Sequence, residues 1–432
     1  MSGTIGIGLA GFGTVGAGVY RHLVRNGDVI ASRSGLRFEV RGVAVRDLWK
    51  RREYPLPRCR IVSNPLELLE DEGTRIVVEL MGGKDAAFEL ITEALRRGKV
   101  VVTGNKALLA ERGVEVFSLA ERYGVPIYYE AAVAGGIPII QVMKEGFIGN
   151  RIETIHGILN GTSNYILTRM TEERLAYGDA LREAQNHGYA EADSSLDVNG
   201  WDAAHKAIIL ASLAFGFWVP WGEVFVRGIE GLEGEDVKYA EELGFKIKLL
   251  ATIRGMGGDG VEVRICPTLI PRSHVLASVS GVYNAVAVRG DVVGEALFYG
   301  RGAGGDATAS SVLADLVAAA RALENPPKCA GFTAHGLYGR CLPVEDAVSK
   351  FYLRLAVEDR PGVLAAVAGV LGGAGIGISS VIQPEGHGGD NLALILMIHN
   401  ARTGDMQRAV ERIRELECVS GSPVLLHVED FS

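Results

Sequence analysis

Residues Ile5–Gly16 read Ile-Gly-Ile-Gly-Leu-Ala-Gly-Phe-Gly-Thr-Val-Gly. The first half is a short apolar run. The second half, Gly11-Phe12-Gly13-Thr14-Val15-Gly16, fits the G-x-G-x-x-G spacing, and the amphipathic stretch Val15–Asn26 follows at once. Such a hexapeptide alone is weak evidence, since an ordinary strand–helix turn is also glycine-rich. Following a strand and opening a helix, it reads as a dinucleotide-binding turn. Gly11 permits the tight turn, Gly13 lets backbone approach a pyrophosphate, and Gly16 lets helix and strand pack closely. The helix N-terminus offers N–H groups and a positive dipole end to the phosphates.

The surrounding pattern supports that reading. Strand-like runs Ile5–Ala10, Phe38–Val45, Ile76–Leu80, Val100–Thr103 and Pro126–Tyr129 alternate with helical stretches Val15–Asn26, Pro65–Glu70, Ala86–Arg97 and Glu111–Tyr123. Short apolar strands alternating with helices predict an α/β fold that begins with a Rossmann-type doubly wound domain over residues 1–150. Beyond it the rhythm changes. Strand-like Ile152–Leu159 precedes helical Ser163–Met170, Tyr177–Asn186, Trp201–Phe215 and Asp236–Leu243. Strand-like Lys246–Arg254, Val261–Leu269, Ala285–Arg289 and Val292–Phe298 follow. This predicts a second, mixed α+β domain over 151–330, with a last helix inside 304–325 packing back on the first domain.

After a linker at Asn325–Val344, residues 350–432 form a third unit. Strands Phe351–Glu358, Ile376–Ile382, Leu392–His399 and Val424–Val428 combine with helices at Val363–Leu371 and after Thr403. The order β-α-β-β-α-β is ferredoxin-like. Pro361–Pro384 carries no charge and is long enough to span a bilayer. Its six glycines make it a poor helix, and it divides better into a helix, a turn and a strand.

Composition narrows the function classes. The chain has 432 residues and a net charge of −8, which argues against a broad nucleic-acid footprint. Glycine is the outlier, with 57 of 432 residues, about 13% against an average of about 7%. In an otherwise globular composition this points to tight turns and close backbone approaches. The five cysteines are scattered without a C-x-x-C pair, so a disulfide framework or zinc site is not expected, and a reducing, cytoplasmic setting is. The N-terminus enters a strand with no basic region or cleavage site, which reads as no signal peptide.

Three further stretches carry chemistry. At the end of the second strand come Val45-Arg46-Asp47 and Lys50-Arg51-Arg52. Arg46 takes the first position after the strand with three basic residues close behind it, which reads as accommodating the 2′-phosphate of NADP in preference to NAD; a one-residue shift would instead give Asp47 the ribose of NAD. Thr103-Gly104-Asn105-Lys106 follows a strand, where ligands collect in a doubly wound sheet. Thr103, Asn105 and Lys106 are therefore assigned to the cofactor crevice, the alternative being a surface turn. Glu191, Asp193 and Asp197 lie within seven residues. Asp202 and Lys206 follow on one helix face, acid first. On a solvated face they would be a weak ion pair. The helix is mostly apolar beyond Lys206, however, and a buried lysine beside a carboxylate suits a general acid. His205 competes for that role.

With these motifs assembled, the sequence resembles homoserine dehydrogenase with a C-terminal ACT domain. The resemblance covers essentially the whole chain. GFGTVG, GNKALLA, YEAAVAGGIPII, LNGTSNYIL, the G-Y-A-E-A-D-x-x-x-D run and N-G-x-D-A-A-H-K carry it. It implies reversible NAD(P)H-dependent reduction of L-aspartate 4-semialdehyde to L-homoserine, in threonine, methionine and isoleucine biosynthesis. Lys206 matches the family's proton donor and Asp202 its acidic partner. Lys106 matches a lysine touching cofactor and substrate, and Glu191 and Asp197 match acids holding the substrate ammonium. Glu130, Val133, Gly135 and Ile137 match a monovalent-cation site, usually sodium. Gly302 matches a second cofactor loop. The ACT resemblance, clearest at Asp359–Leu364, implies feedback by L-threonine, against a purely dimerising role. The resemblance also makes 151–330 the substrate-binding, catalytic and dimerisation domain and implies a homodimer or homotetramer. Two rival readings remain: another NAD(P)-dependent semialdehyde or amino-acid dehydrogenase, and a non-catalytic sensor. Lys106, Asp202 and Lys206 argue against the sensor, which need not keep a proton donor.

Overall fold

The computed structural model describes every residue except 1–3, 51, 53, 56–58, 192, 328, 330, 384–391 and 432. Arg51 of the basic loop and Pro384 thus lie outside the described residues. The chain forms two compact units. One comprises Met1–Ile155, His205–Trp221 and Asn284–Arg340, and the other His156–Ala204, Gly222–Tyr283 and Cys341–Ser432.

The first unit is built on strands β1 (Thr4–Ala10), β2 (Arg37–Ala44), β3 (Arg60–Val62), β4 (Thr74–Glu79), β5 (Val100–Thr103) and β6 (Ile127–Tyr128). All pair in parallel, in the order β3-β2-β1-β4-β5-β6. The order reverses at β1, so a crevice opens beyond the carboxyl ends of β1 and β4. Ile7, Leu9, Ile76, Val78, Val101 and Val102 are fully buried. Strands covered on both faces read as continuous apolar runs, which made this sheet legible.

Its helices are α1 (Thr14–Arg25), α2 (Gly27–Ser34), α3 (Asp85–Arg96), α4 (Lys106–Tyr123) and the single turn α5 (Ile139–Gln141). The sequence pattern leaves α2 and β3 unassigned. No residue of α2 is buried, so it has no apolar stripe to betray it. α4 starts five residues earlier than its periodicity suggests. Asn105 caps it, its side chain accepting the Leu108 N–H at 3.1 Å. At Arg112 the backbone leaves helical geometry (φ −126°), and only the second piece has a readable stripe.

Strand β7 (Ile152–Ile158) leads to the second unit, with α6 (Gly161–Glu172), α7 (Tyr177–Asn186) and the turn α8 (Ser195–Val198). α9 (Trp201–Phe215) runs across the division between the units. β8 (Phe225–Val226), α10 (Gly234–Glu242), β9 (Phe245–Gly255) and β10 (Gly260–Pro271) complete the segment. β11 (Tyr283–Gly290), β12 (Gly294–Arg301) and α11 (Gly305–Ala322) follow. α11 packs against α1 within the first unit: a Cβ on Gly18 would stand 3.0 Å from the Gly305 carbonyl oxygen and 3.3 Å from Ala309. Within the stretch read as a linker, the Gly331 carbonyl accepts from Tyr129 Oη at 2.8 Å.

The C-terminal module comprises β13 (Arg340–Cys341), β14 (Val348–Val357), α12 (Val363–Gly373), β15 (Ile378–Ile382), β16 (Leu392–Arg402), α13 (Thr403–Arg414) and β17 (Val419–Val428). Phe351, Leu353, Leu355 and Val357 alternate along β14 into one core with Val367, Leu371, Met406 and Ile413. The sheet order β17-β14-β16-β15 is the ferredoxin-like one. β17 also pairs in parallel with β10, Thr268 opposite His427 and Leu269 opposite Val428. The module therefore continues the β9–β10 sheet. Arg354 reinforces the join by donating from Nε to Asp236 Oδ1 of α10 at 2.6 Å. The uncharged stretch forms α12 and β15. Among the described residues, no helix is long and apolar enough to cross a membrane.

Candidate functional site

The three fingerprint glycines answer to different constraints. Gly11 has φ +100°, and a Cβ there would run into the Leu80 carbonyl. A Cβ on Gly16 would strike the Gly11 carbonyl oxygen. On Gly13 a Cβ would meet nothing within 4 Å. Protein packing thus requires glycine at 11 and 16, whereas only an approaching ligand requires it at 13. α1 starts there without a side-chain cap, leaving its first N–H groups for phosphate oxygens. The residues present fit a dinucleotide.

Two other loops adjoin this turn. A Cβ on Gly305 would lie 3.0 Å from Thr14 Cγ2. Gly302, buried against Asn284, presents its carbonyl to Gly135. The fingerprint, the 302–305 loop and the 130–137 loop are therefore contiguous in the first unit.

Beyond β2, Arg46 is exposed. Asp47 is turned toward its own loop. Its Oδ1 accepts the N–H groups of Trp49 at 2.8 Å and Lys50 at 3.1 Å.

At the ends of β4 and β5 lies an interaction that sequence reasoning missed. Glu79 is fully buried. Its Oε2 accepts from Thr103 Oγ1 at 2.6 Å, and its Oε1 from the Met81 N–H at 2.7 Å. Thr103 Oγ1 accepts in turn from the Asn105 N–H at 3.0 Å. Burial raises the Glu79 carboxyl to about 7, against the lowering effect of its hydrogen bonds. This chain sets the turn that begins α4 at Lys106. An acid at the carboxyl end of an apolar parallel strand was the available signal.

Glu130 is buried, and its two oxygens accept the N–H groups of Ile140 and Gln141, both at 2.8 Å. Burial raises its carboxyl to about 7. Asp315 of α11 accepts the Glu130 N–H at 2.8 Å, and burial together with Glu130 raises it as well. Ala134 and Gly135 both have positive φ, 54° and 50°. Gly135 O accepts from Ser311 Oγ at 2.6 Å. Two buried carboxylates beside carbonyl oxygens with spare lone pairs are a donor set suited to a hard cation.

In the second unit, Asn160 gathers two of the assigned acids. Its Nδ2 donates to Asp197 Oδ1 at 2.7 Å and to Asp202 Oδ2 at 2.9 Å. Its Oδ1 caps α6 by accepting the Ser163 N–H at 2.7 Å. Ser163 Oγ fastens the Asp197 carbonyl at 2.7 Å. Glu191 is exposed, and its carboxylate makes no hydrogen bond among the described residues. Lys206 stands one turn along α9 from Asp202 and is buried, as are Ala207–Ala211 after it. His205 is also buried, stacked on Trp221 with ring centroids 4.7 Å apart.

The chain matches three family models: "Homoserine dehydrogenase, NAD binding domain" over residues 11–130, "Homoserine dehydrogenase" over 138–317 and "ACT domain" over 351–418. It is 43% identical to a homoserine dehydrogenase of Pseudomonas aeruginosa and 42% identical to one of Neisseria gonorrhoeae, each alignment covering 99% of both chains. A crystal structure of a homoserine dehydrogenase from Thiobacillus denitrificans superposes with a TM-score of 0.93 at 42% identity, covering 100% of this chain and 99% of that one. A hyperthermophilic archaeal homoserine dehydrogenase solved in complex with NADPH superposes with a TM-score of 0.61 at 28% identity, over 75% of this chain and 99% of that one.

Proposed function

Because the chain belongs to the homoserine dehydrogenase family, and is thereby an NAD(P)-dependent oxidoreductase acting on a CH–OH group, we propose that it reduces L-aspartate 4-semialdehyde to L-homoserine, preferring NADPH. The observation that carries the residue assignment is the Asn160 bridge between Asp197 and Asp202. Bound NADPH supplies hydride to the aldehyde carbon. Gly11, Phe12, Gly13, Thr14, Val15 and Gly16 seat its pyrophosphate, with Gly302, Thr103 and Asn105 completing the seat. Arg46 takes the 2′-phosphate. Asp47 is occupied by its own loop, which favours a phosphate over a bare ribose hydroxyl.

Glu191 and Asp197 hold the substrate ammonium. Lys206 Nζ stabilises the charge growing on the aldehyde oxygen and then delivers the proton. Asp202 orients that lysine, and Lys106 orients the substrate beside the cofactor. Sodium bound by Glu130 and the carbonyls of Val133, Gly135 and Ile137 would offset the raised Glu130 and Asp315 carboxyls. The product would serve threonine, methionine and isoleucine synthesis, and the free cysteines suit a cytoplasmic setting. The ACT module would carry threonine feedback in a homodimer or homotetramer.

The test is NADPH oxidation by the full chain with aspartate semialdehyde, repeated with NADH, with sodium exchanged for a large organic cation, and with added L-threonine. Faster turnover with NADPH, loss without sodium and inhibition by threonine are expected. Equal rates with both cofactors, or indifference to sodium or threonine, would each remove that element of the reading.

A further inference from the structure

Helix α4 consists of two pieces. Its backbone breaks at Arg112, so Lys106–Glu111 is a short helical piece with an orientation of its own. At its start, the Asn105 side chain accepts the Leu108 N–H at 3.1 Å and donates from Nδ2 to the Gly83 carbonyl at 2.8 Å. At its end, Glu111 Oε2 accepts from Lys84 Nζ at 2.6 Å. Gly83 and Lys84 are neighbours in the loop that follows β4. The piece is thus tied to one loop at both ends.

The other oxygen of Glu111 faces α9. His205 Nε2 lies 3.8 Å from Glu111 Oε1, and both residues belong to the first unit. The His205 ring is buried, and its plane lies 19° from that of Trp221, on which it stacks. The chain just beyond α9 meets the break itself. Trp218 Nε1 donates to the Ala110 carbonyl at 3.4 Å, and a Cβ on Gly113 would run into the Trp218 indole. Arg112 lies over the Phe88 ring of α3 instead, 3.4 Å from its centroid. The break in α4 is therefore seated against the segment 205–221, with Glu111 reaching across.

What each side carries gives this contact its meaning. Lys106 opens the piece that Glu111 closes, and Lys206 follows His205 on α9. Both lysines must meet one aldehyde in one geometry, and a misplacement of about 1 Å can cost about 100-fold in rate. The Lys84–Glu111 pair alone would be an ordinary surface ion pair of little consequence. A surface pair, however, has no need of a second oxygen aimed at a buried ring beside Lys206.

We propose that Glu111 is a positioning residue for the reduction. By joining Lys84 to His205, it sets the helical piece that carries Lys106 against the turn of α9 that carries Lys206. The proposal rests on the roles proposed for those two lysines, and adds what holds them in register.

The test compares Glu111→Ala, His205→Gln and the double variant in the full-length protein. Rapid mixing reads the single-turnover rate constant of NADPH oxidation, alongside the NADPH dissociation constant. Misfolded molecules lower the amplitude of that phase and leave its rate constant alone, so the rate constant reports the hydride step. Glu111→Ala is expected to lower it at least about tenfold through misplacement. NADPH affinity should hold, because the Asn105 cap and its Gly83 contact remain. His205→Gln should have the same effect, and the double variant should be no slower than either single one, since both act through one contact. Glu111→Gln keeps the side chain's length and should show a smaller loss in the same direction, which guards against poor folding of Glu111→Ala. An unaltered rate constant, a change in amplitude alone or fully additive losses would each overturn the proposal. Lys206→Met separates this failure from that of the underlying reading. If Lys206→Met stops turnover and the Glu111 variants do not slow it, only the positioning role falls. If Lys206→Met turns over normally, both fall.

Discussion

The amide of Asn160 donates to Asp202 at 2.9 Å, and its second proton goes to Asp197 at 2.7 Å. One nitrogen therefore holds two carboxylates that would otherwise repel. Hydrogen bonds to charged groups are worth about 1.5–3 kcal/mol each. Asn160→Ala removes this donor and also the cap on α6. Asn160→Asp keeps a capping oxygen, replaces the donor and sets a third carboxylate beside Asp197 and Asp202. Both variants should lower kcat/KM for the aldehyde by about 100-fold, with the NADPH dissociation constant unchanged. A loss seen only in Asn160→Ala would assign Asn160 to the cap alone.

Why Asn160 escaped the sequence while Asp202 did not is a matter of range. Asp202 and Lys206 are one helical turn apart, so periodicity alone puts them on one face. Asn160 meets Asp197 and Asp202 only through tertiary folding. Glu79 was hidden differently, inside the run Ile76–Leu80, where nothing local shows that its carboxylate turns back to Thr103 and Met81. The parallel sheet and the ferredoxin-like module were legible because each buries strands with a regular pattern. The pairing of β17 with β10 was not. Nothing local in either strand names its partner. The choice between Arg46 and Asp47 turned on adjacent residues, and only the folded chain shows Asp47 accepting the N–H groups of its own loop.

The glycine geometry separates folding from binding. A Cβ on Gly16 would strike the Gly11 carbonyl, while one on Gly13 would meet open space. Gly16→Ala should lower Tm by several degrees, as overpacking costs about 1–3 kcal/mol. Gly13→Ala should leave Tm unchanged and weaken NADPH binding at least about tenfold, by blocking backbone approach. Thermal melts and cofactor fluorescence titration read both. Unaltered NADPH affinity in Gly13→Ala would remove the pyrophosphate from this turn.

Lys206 is buried on α9, one turn beyond Asp202. Lys206→Met keeps the apolar stem and removes the ammonium. As the proton donor it should account for about 10²–10⁴ in kcat. NADPH affinity should be nearly unchanged, because it does not depend on that proton. Ordinary turnover in Lys206→Met would exclude the lysine from proton transfer.

Glu79 connects stability to pH. Burial raises its carboxyl from 4.5 to about 7. Between those values the folded chain holds a proton that the unfolded chain has lost, so stability falls as pH rises. Below 4.5 both states are protonated, and above about 7 the loss is complete. At about 1.4 kcal/mol per pH unit, the full effect is at most about 3 kcal/mol. Glu130 adds a similar fall over the same window, whereas Lys248, lowered to about 7 by burial, acts in the opposite sense above it. The difference between the unaltered chain and Glu79→Gln isolates Glu79. Denaturant unfolding at about pH 5 and about pH 8 should show Glu79→Gln gaining about 2–3 kcal/mol relative to the unaltered chain on going to the higher pH. The glutamine can still accept the Met81 N–H, so the turn before Lys106 should hold and NADPH binding should survive. A stability difference that does not change with pH would mean that Glu79 is ionised throughout, with Thr103 and Met81 outweighing its burial.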